Sequence, residues 1–223
     1  MESYEALIAT LSLTMGAAWA SGINLYAAMA TLGWLAMNGQ IDLPPDLEIL
    51  ANPLVFGAAG IMYVVEFFAD KIPGVDTAWD GLHTFVRIPA GAMLAAGAVG
   101  DVNVAMETAA AILGGGLAAG AHATKAGTRA LINTSPEPVT NWTASLTEDA
   151  MVIGGLWTAL NHPLWFLAGL VVFILLMIWL LPKIWAGLKA VFRAIGRFFG
   201  REYPEEDEAK APETSPSTNQ TQS

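Results

Sequence analysis

Long apolar runs separated by short polar segments are the dominant pattern along this chain. The last run, PLWFLAGLVVFILLMIWLLP at 163–182, has the length of about 20 residues that a helix needs to cross the hydrocarbon core of a bilayer. The pattern predicts an all-α fold, a polytopic transmembrane helical bundle over residues 1–182. The apolar runs lie at 5–37, 53–69, 88–100, 104–124, 148–160 and 163–182.

The first run is long enough for two short passes, and its centre reads WASGINLY. Gly22 and Asn24 suit a break in a helix, so we expect broken or re-entrant helices, with this run folded as a hairpin. A similarity between two segments of the chain supports interrupted helices, because MGAAWASGINLYA at 15–27 aligns with LGGGLAAGAHATK at 113–125. Two interpretations stay open: two internal repeats, as in transporters that bind substrate between them, or small residues that recur at close-packed helix faces.

The segment that follows the last apolar run is basic and amphipathic. Residues 183–200 place three basic side chains on one face of a helix and apolar side chains on the other, which predicts an interfacial amphipathic helix. Residues 201–223 form an acidic tail with little apolar content, and we expect this tail to be disordered. The three basic residues of the amphipathic segment are Lys189, Arg193 and Arg197.

Composition narrows the classes of function. The chain is 54% hydrophobic and carries a net charge of −10, which argues against a nucleic-acid partner. It has no cysteine, so disulfides, thiolate nucleophiles and cysteine metal sites are excluded. The first residues, MESYEALIATL, lack a basic segment, so we expect the first helix to be retained rather than removed as a secretory signal. No cofactor is predicted.

The distribution of basic residues predicts the orientation of the chain. All ten lysines and arginines follow residue 70, and five of them cluster directly after the last apolar run. Basic residues beside a span favour the cytoplasmic side, so we expect a cytoplasmic C-terminus. When the spans are counted backwards from there, the acidic loop at 39–52 lies outside the cytoplasm. The five clustered residues are Lys183, Lys189, Arg193, Arg197 and Arg201.

Ionisable residues are concentrated in EFFADKIPGVDTAWDGLHTFVR, residues 66–87, of a chain that is 13% charged overall. The last four are spaced four, three and four residues apart, so a helix would carry them as one stripe. In one interpretation the stripe is the solvent-exposed face of a helix in a cytoplasmic loop. In the other it folds into the bundle, where an unpaired charge costs about 2.5–3.5 kcal/mol and marks a functional site. The seven residues are Glu66, Asp70, Lys71, Asp76, Asp80, His83 and Arg87.

Other polar residues in apolar surroundings could complete such a site. Lys125 and Arg129, one helical turn apart in HATKAGTR, are the first candidates. The two acids of SLTED open an apolar run, so they either cap a helix or join the site. An asparagine and a histidine within apolar runs also need hydrogen-bond partners. These secondary candidates are Asn24, His122, Glu148 and Asp149.

Four stretches carry a resemblance to a known family: ASGINLY at 20–26, EFFADKIPGVDTAWDGLHTFVRIPAGA at 66–92, HATKAGTRALINTSPEP at 122–138 and SLTEDAM at 145–151. With these motifs the chain resembles domain-of-unknown-function family 4126, a family of uncharacterised bacterial multi-pass membrane proteins. The resemblance covers roughly residues 5–182. It implies a multi-pass protein of the bacterial inner, or plasma, membrane and brings no established activity or ligand.

Several functions fit these residues. The first is a transporter or carrier of a small solute or ion that uses the intramembrane Asp, His and Arg cluster as a relay, because carboxylates and imidazoles can change protonation. The second is a lipid-phosphate flippase or scramblase, in which the cations gather around a phosphate. An enzyme with a divalent metal on Asp76 and Asp80 is less favoured, since no catalytic motif accompanies them. The last is a non-catalytic membrane scaffold, and a homo-oligomer is also considered.

Overall fold

The computed structural model describes residues 2–100, 102–134 and 138–198, and this part of the chain is helical and contains no strand. The predicted all-α fold is confirmed. The tail predicted over 201–223 lies outside the described residues. The helices are α1 (Glu2–Met37), a 3₁₀ helix (Pro45–Ala51), α2 (Pro53–Ala69), α3 (Val75–Val99), α4 (Val104–Ile132), α5 (Pro138–Asn161) and α6 (Pro163–Phe198).

Four helices, α1, α3, α4 and α6, are long and apolar enough to cross a membrane. The 3₁₀ helix and α2 meet at an angle of 67° and together would form a fifth span with a break in it. The chain is therefore an integral, multi-pass membrane protein in contact with the lipid bilayer, as the apolar runs predicted. The helix α5 does not meet the same test of length and hydropathy, and it packs against α1.

The helix α1 is broken where the sequence predicted, and its two halves run in opposite directions. Asn24 has φ of −147° and ψ of 96°, and helical geometry resumes directly after it. Its side-chain oxygen accepts a hydrogen bond from the backbone N–H of Ala27 at 2.9 Å, so Asn24 caps the second half of the helix. Leu13 of the first half and Pro44, which follows the second half, line the same pocket far from Asn24, so the chain reverses at the break as the hairpin prediction requires.

Small residues allow α1, α3 and α4 to approach closely. A Cβ atom on Gly22 would collide with the carbonyl oxygen of Ala118, and one on Gly114 would lie 3.3 Å from the Cβ of Ala18. These two contacts pair residues four positions apart on each helix, so the first half of α1 and α4 run in the same direction. The similar segments 15–27 and 113–125 thus pack against each other through small side chains. An internal duplication remains a prediction.

The helix α6 is the least buried of the spans. Only 11% of the residues in its most apolar stretch are buried, compared with 61% in α1. It lies along α4, where Gly120 faces Met177 and Gly127 faces Ile184. It continues without interruption through Pro182 to Phe198, so the basic segment begins inside the same helix. A position of that segment at the membrane interface remains a prediction.

The chain divides into two compact units, residues 1–188 and residues 189–223. The first contains every charged residue of the 66–87 stretch and all the secondary candidates. The second is described only as far as Phe198, where α6 ends.

Candidate functional site

The turn between α2 and α3 brings charged parts of several helices to one end of the bundle. Gly74, with φ of +85°, takes a conformation that favours glycine and reverses the chain after α2. The helices α3 and α4 are antiparallel, because Gly91 meets Ala118 and Gly114 meets Ala95. The first half of α3 therefore lies beside the second half of α4, and their polar residues share one level of the bundle.

All nine primary candidates are buried inside the protein. The stripe on α3 extends over about 16 Å along the helix axis from Asp76 to Arg87, at 1.5 Å per residue. The stripe is not a solvent-exposed helix face, since Asp76 and Arg87 are both fully buried. The exposed fractions are 0% for Glu66, 2% for Asp70, 5% for Lys71, 0% for Asp76, 1% for Asp80, 8% for His83, 0% for Arg87, 5% for Lys125 and 0% for Arg129.

Four carboxylates from three helix segments surround the ammonium group of Lys125. Its Nζ atom lies 2.9 Å from Asp70 Oδ2, at the end of α2, and 3.4 Å from Glu66 Oε1. It lies 3.5 Å from Glu148 Oε2 on α5 and 3.6 Å from Asp80 Oδ1 on α3. Lys125 is therefore the centre of the ion-pair network.

Arg87 lies at the end of the network that is farthest from the turn between α2 and α3. Its Nη2 group donates to Glu66 and its Nη1 group donates to Asp80 Oδ1 at 3.0 Å. The same Nη1 lies 3.2 Å from Nδ1 of His122, one turn before Lys125 on α4. Ser21 on α1 donates to the backbone carbonyl of Arg87 at 2.9 Å, which ties the network to the broken helix.

Arg129 forms the outer part of the network with α5. Its Nε and Nη2 groups donate to the two carboxylate oxygens of Glu148, at 3.0 and 2.7 Å, in a bidentate pair. Its Nη1 group donates to Asn141 Oδ1 at 2.8 Å and to the backbone carbonyl of Asp70 at 2.9 Å. This guanidinium therefore joins the ends of α2 and α4 to α5.

The acids of SLTED do not cap a helix, because α5 begins at Pro138, ten residues before Glu148. The capping interpretation is wrong for both residues. Glu148 pairs with Arg129, and Asp149 accepts a hydrogen bond from Nδ2 of Asn24 at 2.9 Å. The break in α1 is thus fixed by a carboxylate on α5.

Asp76 is held mainly by hydrogen-bond donors, because the nearest cation, Arg129 Nη1, is 3.9 Å from its carboxylate. Its carboxylate accepts from Nδ2 of Asn133 at 2.8 and 2.9 Å and from the backbone N–H groups of Gly74 and Thr77. It therefore acts as a cap for the start of α3. Among residues 2–100, 102–134 and 138–198, no three His, Asp or Glu side chains come together in a way that could hold a metal ion.

His83 and Lys71 lie at the edges of the network. The imidazole of His83 stacks on Trp79 with ring centroids 4.2 Å apart, and its Nε2 lies 3.2 Å from the hydroxyl of Tyr26. The Nζ of Lys71 lies over the ring of Phe67 and 3.2 Å from the hydroxyl of Ser145. Burial lowers the pKa of Lys71 from its ordinary value.

The sequence predictions missed several uncharged members of the network. On α5, Asn141, Ser145 and Glu148 are spaced four and three residues apart, which places them on one face of the helix. This polar face was a detectable signal, hidden by the low charge of the segment. The uncharged residues that contact the network are Ser21, Tyr26, Thr84, Asn133, Asn141 and Ser145.

The network contains more acids than bases. Six carboxylates face four basic side chains, so the ionised network would carry excess negative charge. Several carboxylate oxygens are buried and accept no hydrogen bond from the described residues, namely Glu66 Oε2, Asp70 Oδ1, Asp80 Oδ2 and Asp149 Oδ2. The arrangement has the capacity to take up a proton or a small cation. The acids are Glu66, Asp70, Asp76, Asp80, Glu148 and Asp149, and the bases are Lys71, Arg87, Lys125 and Arg129.

Comparison with known proteins identifies a family but no activity. The sequence model of a family described as a domain of unknown function, DUF4126, matches residues 11–183, which include the whole network. No curated protein and no solved structure shows significant similarity to the chain.

Proposed function

The chain belongs to the DUF4126 family, and we propose that it is a membrane transporter or carrier of a small cation or proton. The buried ion-pair network is the binding and relay site in this proposal. Lys125 stands at its centre. Glu66, Asp70 and Asp80, each with a buried carboxylate oxygen that accepts no hydrogen bond from the described residues, are the acids that exchange the transported charge. Asp76 has a structural role instead, because its oxygens are occupied by amide donors.

The observation that carries the proposal is the crowding of four carboxylates around one ammonium group. The farthest of them is 3.6 Å from Lys125 Nζ, and the side chain of Lys125 is 2% exposed. Burial of ionised groups is costly, and charged residues inside membrane helices mark ion paths and proton relays. A set of acids that share one cation can change its total charge by one proton or one monovalent ion.

The charge balance favours a cation over a phosphate. The guanidinium of Arg87 already donates to Glu66 and Asp80, and that of Arg129 already donates to Glu148. A phosphate would have to displace these carboxylates while adding negative charge to a network with an excess of acids. The lipid-phosphate alternative therefore has less support than ion transport.

The broken helix gives a second line of support. Asn24 starts the second half of α1 and donates to Asp149, so a helix terminus faces an acid in the interior of the bundle. Interrupted helices are typical of ion sites in transporters, because the helix ends at the break contribute to ion binding. Ser21, three residues earlier, contacts the backbone of Arg87 and links this break to the network.

The proposal is tested by flux measurements on the purified protein in liposomes. A pH-sensitive dye is trapped inside, and gradients of H⁺, Na⁺ and K⁺ are imposed in turn. A protonophore is added for Na⁺ and K⁺, so that entry of either cation drives a compensating exit of protons that the dye reports, and valinomycin with K⁺ on both sides balances the charge for H⁺. We expect the wild-type protein to dissipate at least one gradient about tenfold faster than protein-free liposomes, and Asp80→Asn to remove most of this gain, a change worth about 1.4 kcal/mol in the barrier. Glu48, which is exposed, provides the matched control Glu48→Gln, and we expect this variant to keep wild-type flux.

Both variants must elute from size-exclusion chromatography like the wild type. The absence of flux for every ion with the wild-type protein would contradict transport of these cations. Equal flux by Asp80→Asn and wild type would remove the network from the mechanism. Rapid movement of a fluorescent phospholipid between leaflets, without ion flux, would support lipid handling instead.

A further inference from the structure

A small cavity between α1, α4, α5 and α6 reaches the network from the side of the bundle. It has a volume of about 120 Å³. Lys125 and Glu148 form its polar wall, and Glu148 is the most exposed carboxylate among the ion pairs, with 14% of its side chain accessible. The remaining lining residues are Ile23, Ala121, Thr124, Thr128, Met151 and Phe173.

We infer that this cavity is the site at which water and a small monovalent cation enter the network. The inference rests on the proposed function and narrows its substrate to ions of about the size of water. The cavity leads directly to the crowded Lys125, and Thr124 and Thr128 are half-exposed on the same face of α4. An ion on this path meets Glu148 first and the inner acids afterwards.

The lining offers oxygen atoms to a cation. The hydroxyl of Thr124 donates to the backbone carbonyl of Gly120 at 2.9 Å, which leaves its oxygen lone pairs directed to other partners. Glu148 contributes negative charge beside it. Hydroxyl and carboxylate oxygens are the ligands that hard monovalent and divalent cations and hydronium prefer, whereas a phosphate would find only one ammonium, already shared among acids.

The size of the cavity limits what can enter. A volume of 120 Å³ has room for about four water molecules at roughly 30 Å³ each. A partly hydrated sodium, potassium or ammonium ion fits this space. The cavity is smaller than the roughly 300–1,000 Å³ of typical small-molecule sites, so we expect a small ion rather than a phospholipid headgroup or an amino acid.

The helix α6 forms the outer cover of the cavity through Phe173. Its contacts with α4 are made over glycines, with Gly120 beneath the flexible end of Met177. Because α6 is also the least buried span, a small outward movement of this helix widens the opening without disturbing the ion pairs. Phe173 packs edge-on against Trp19 of α1, with centroids 5.9 Å apart, and this contact holds the cover closed.

The chain contains no cysteine, so a single introduced thiol reports on water at the cavity. Thr128→Cys places it in the lining, and Ile112→Cys places the matched control on the same helix at a site that is 69% exposed on the outside of the bundle. Thiols react as thiolates, which need water, so exposure to lipid alone gives slow labelling. In liposomes, 2-aminoethyl methanethiosulfonate is expected to modify Thr128→Cys at least about tenfold faster than Ile112→Cys, because hydrocarbon disfavours the thiolate. Thr124→Cys serves as a second reporter if Thr128→Cys does not fold.

Adding Phe173→Leu to the reporter chain tests the cover. We expect faster labelling in the combined variant, and an unchanged rate would overturn the role assigned to α6. Labelling of Thr128→Cys and Thr124→Cys as slow as that of Ile112→Cys would overturn the cavity as an entrance. Since labelling does not depend on flux, rapid labelling without ion transport would contradict the proposed function alone, and transport without labelling would contradict only this entrance.

Discussion

Lys125 is a single ammonium group that four carboxylates share. A buried ion pair adds little net stability compared with apolar packing, but the removal of one partner leaves an uncompensated charge and is strongly destabilising. The network contains excess acid, so the loss of a base is more harmful than the loss of an acid. Substitutions of individual residues can separate these two effects.

We predict that Lys125→Met lowers the free energy of unfolding by about 3–5 kcal/mol, because four acids lose their shared cation. Thermal unfolding in detergent measures this loss. Adding Asp70→Asn should recover part of it, since Asp70 Oδ2 is the carboxylate oxygen closest to Lys125 Nζ at 2.9 Å. The control is Lys183→Gln, an exposed lysine on α6. Wild-type stability of Lys125→Met would show that the acids do not depend on this ammonium.

Asn24 has two roles that a substitution removes together. We predict that Asn24→Ala lowers the free energy of unfolding by about 1–3 kcal/mol, because Ala27 N–H loses its cap and Asp149 loses a buried donor. The exposed Asn38, whose amide donates to a carbonyl in the same helix, provides the control Asn38→Ala. Equal unfolding temperatures for the two variants would contradict the capping role.

At the scale of helices, the sequence identified the elements better than their connections. The position of the break in α1 was readable from Gly22 and Asn24, yet the two residues act differently. Gly22 permits close packing on α4, whereas Asn24 interrupts the helix. The apolar run at 148–160 predicts a start for α5 that is ten residues too late, because the segment from Pro138 to Thr147 is polar on one face and has no long apolar run. Hydropathy alone cannot identify a polar face that is buried against other helices.

The close contact between α1 and α4 gives a prediction for glycine substitutions. Gly22→Ala should destabilise the protein by about 1–3 kcal/mol, because its Cβ would collide with a backbone oxygen that cannot move aside. Gly116→Ala, on the exposed face of α4 with no atom within 4 Å of the added Cβ, should instead be neutral or stabilising by up to about 1 kcal/mol. Thermal unfolding of the two variants in the same detergent distinguishes them.

At the scale of the whole chain, the spacing of charges predicts which residues form the candidate site but not that these residues are buried. The stripe on α3 and the pair on α4 were both found from helical periodicity. The cations that precede the last span carry no information on orientation, since Lys71, Arg87, Lys125 and Arg129 are all buried in contact with acids or aromatic rings. One-dimensional patterns cannot distinguish a buried cation from an exposed one, since the difference lies in partners from distant segments.

The prediction of a cytoplasmic C-terminus therefore rests on the basic residues after the last span. We expect a fluorescent protein fused to the C-terminus to be fluorescent in bacterial cells, and alkaline phosphatase fused at the same point to be inactive. The reverse pattern would contradict the orientation. An alkaline phosphatase inserted after Gln40, in the acidic loop opposite the network, is the complementary test and should be active.

The burial of Glu66 constrains the order in which the protein can be assembled during synthesis. Its cationic partners, Arg87 and Lys125, follow it by 21 and 59 residues. When α2 leaves the ribosome, this carboxylate, three residues before the end of the helix, has no counter-charge, and an ionised group in a lone membrane helix costs up to about 2.5–3.5 kcal/mol. The translocon must therefore retain α2, or the acid must stay protonated, until α4 has been made and the first four long helices can enter the bilayer as a group.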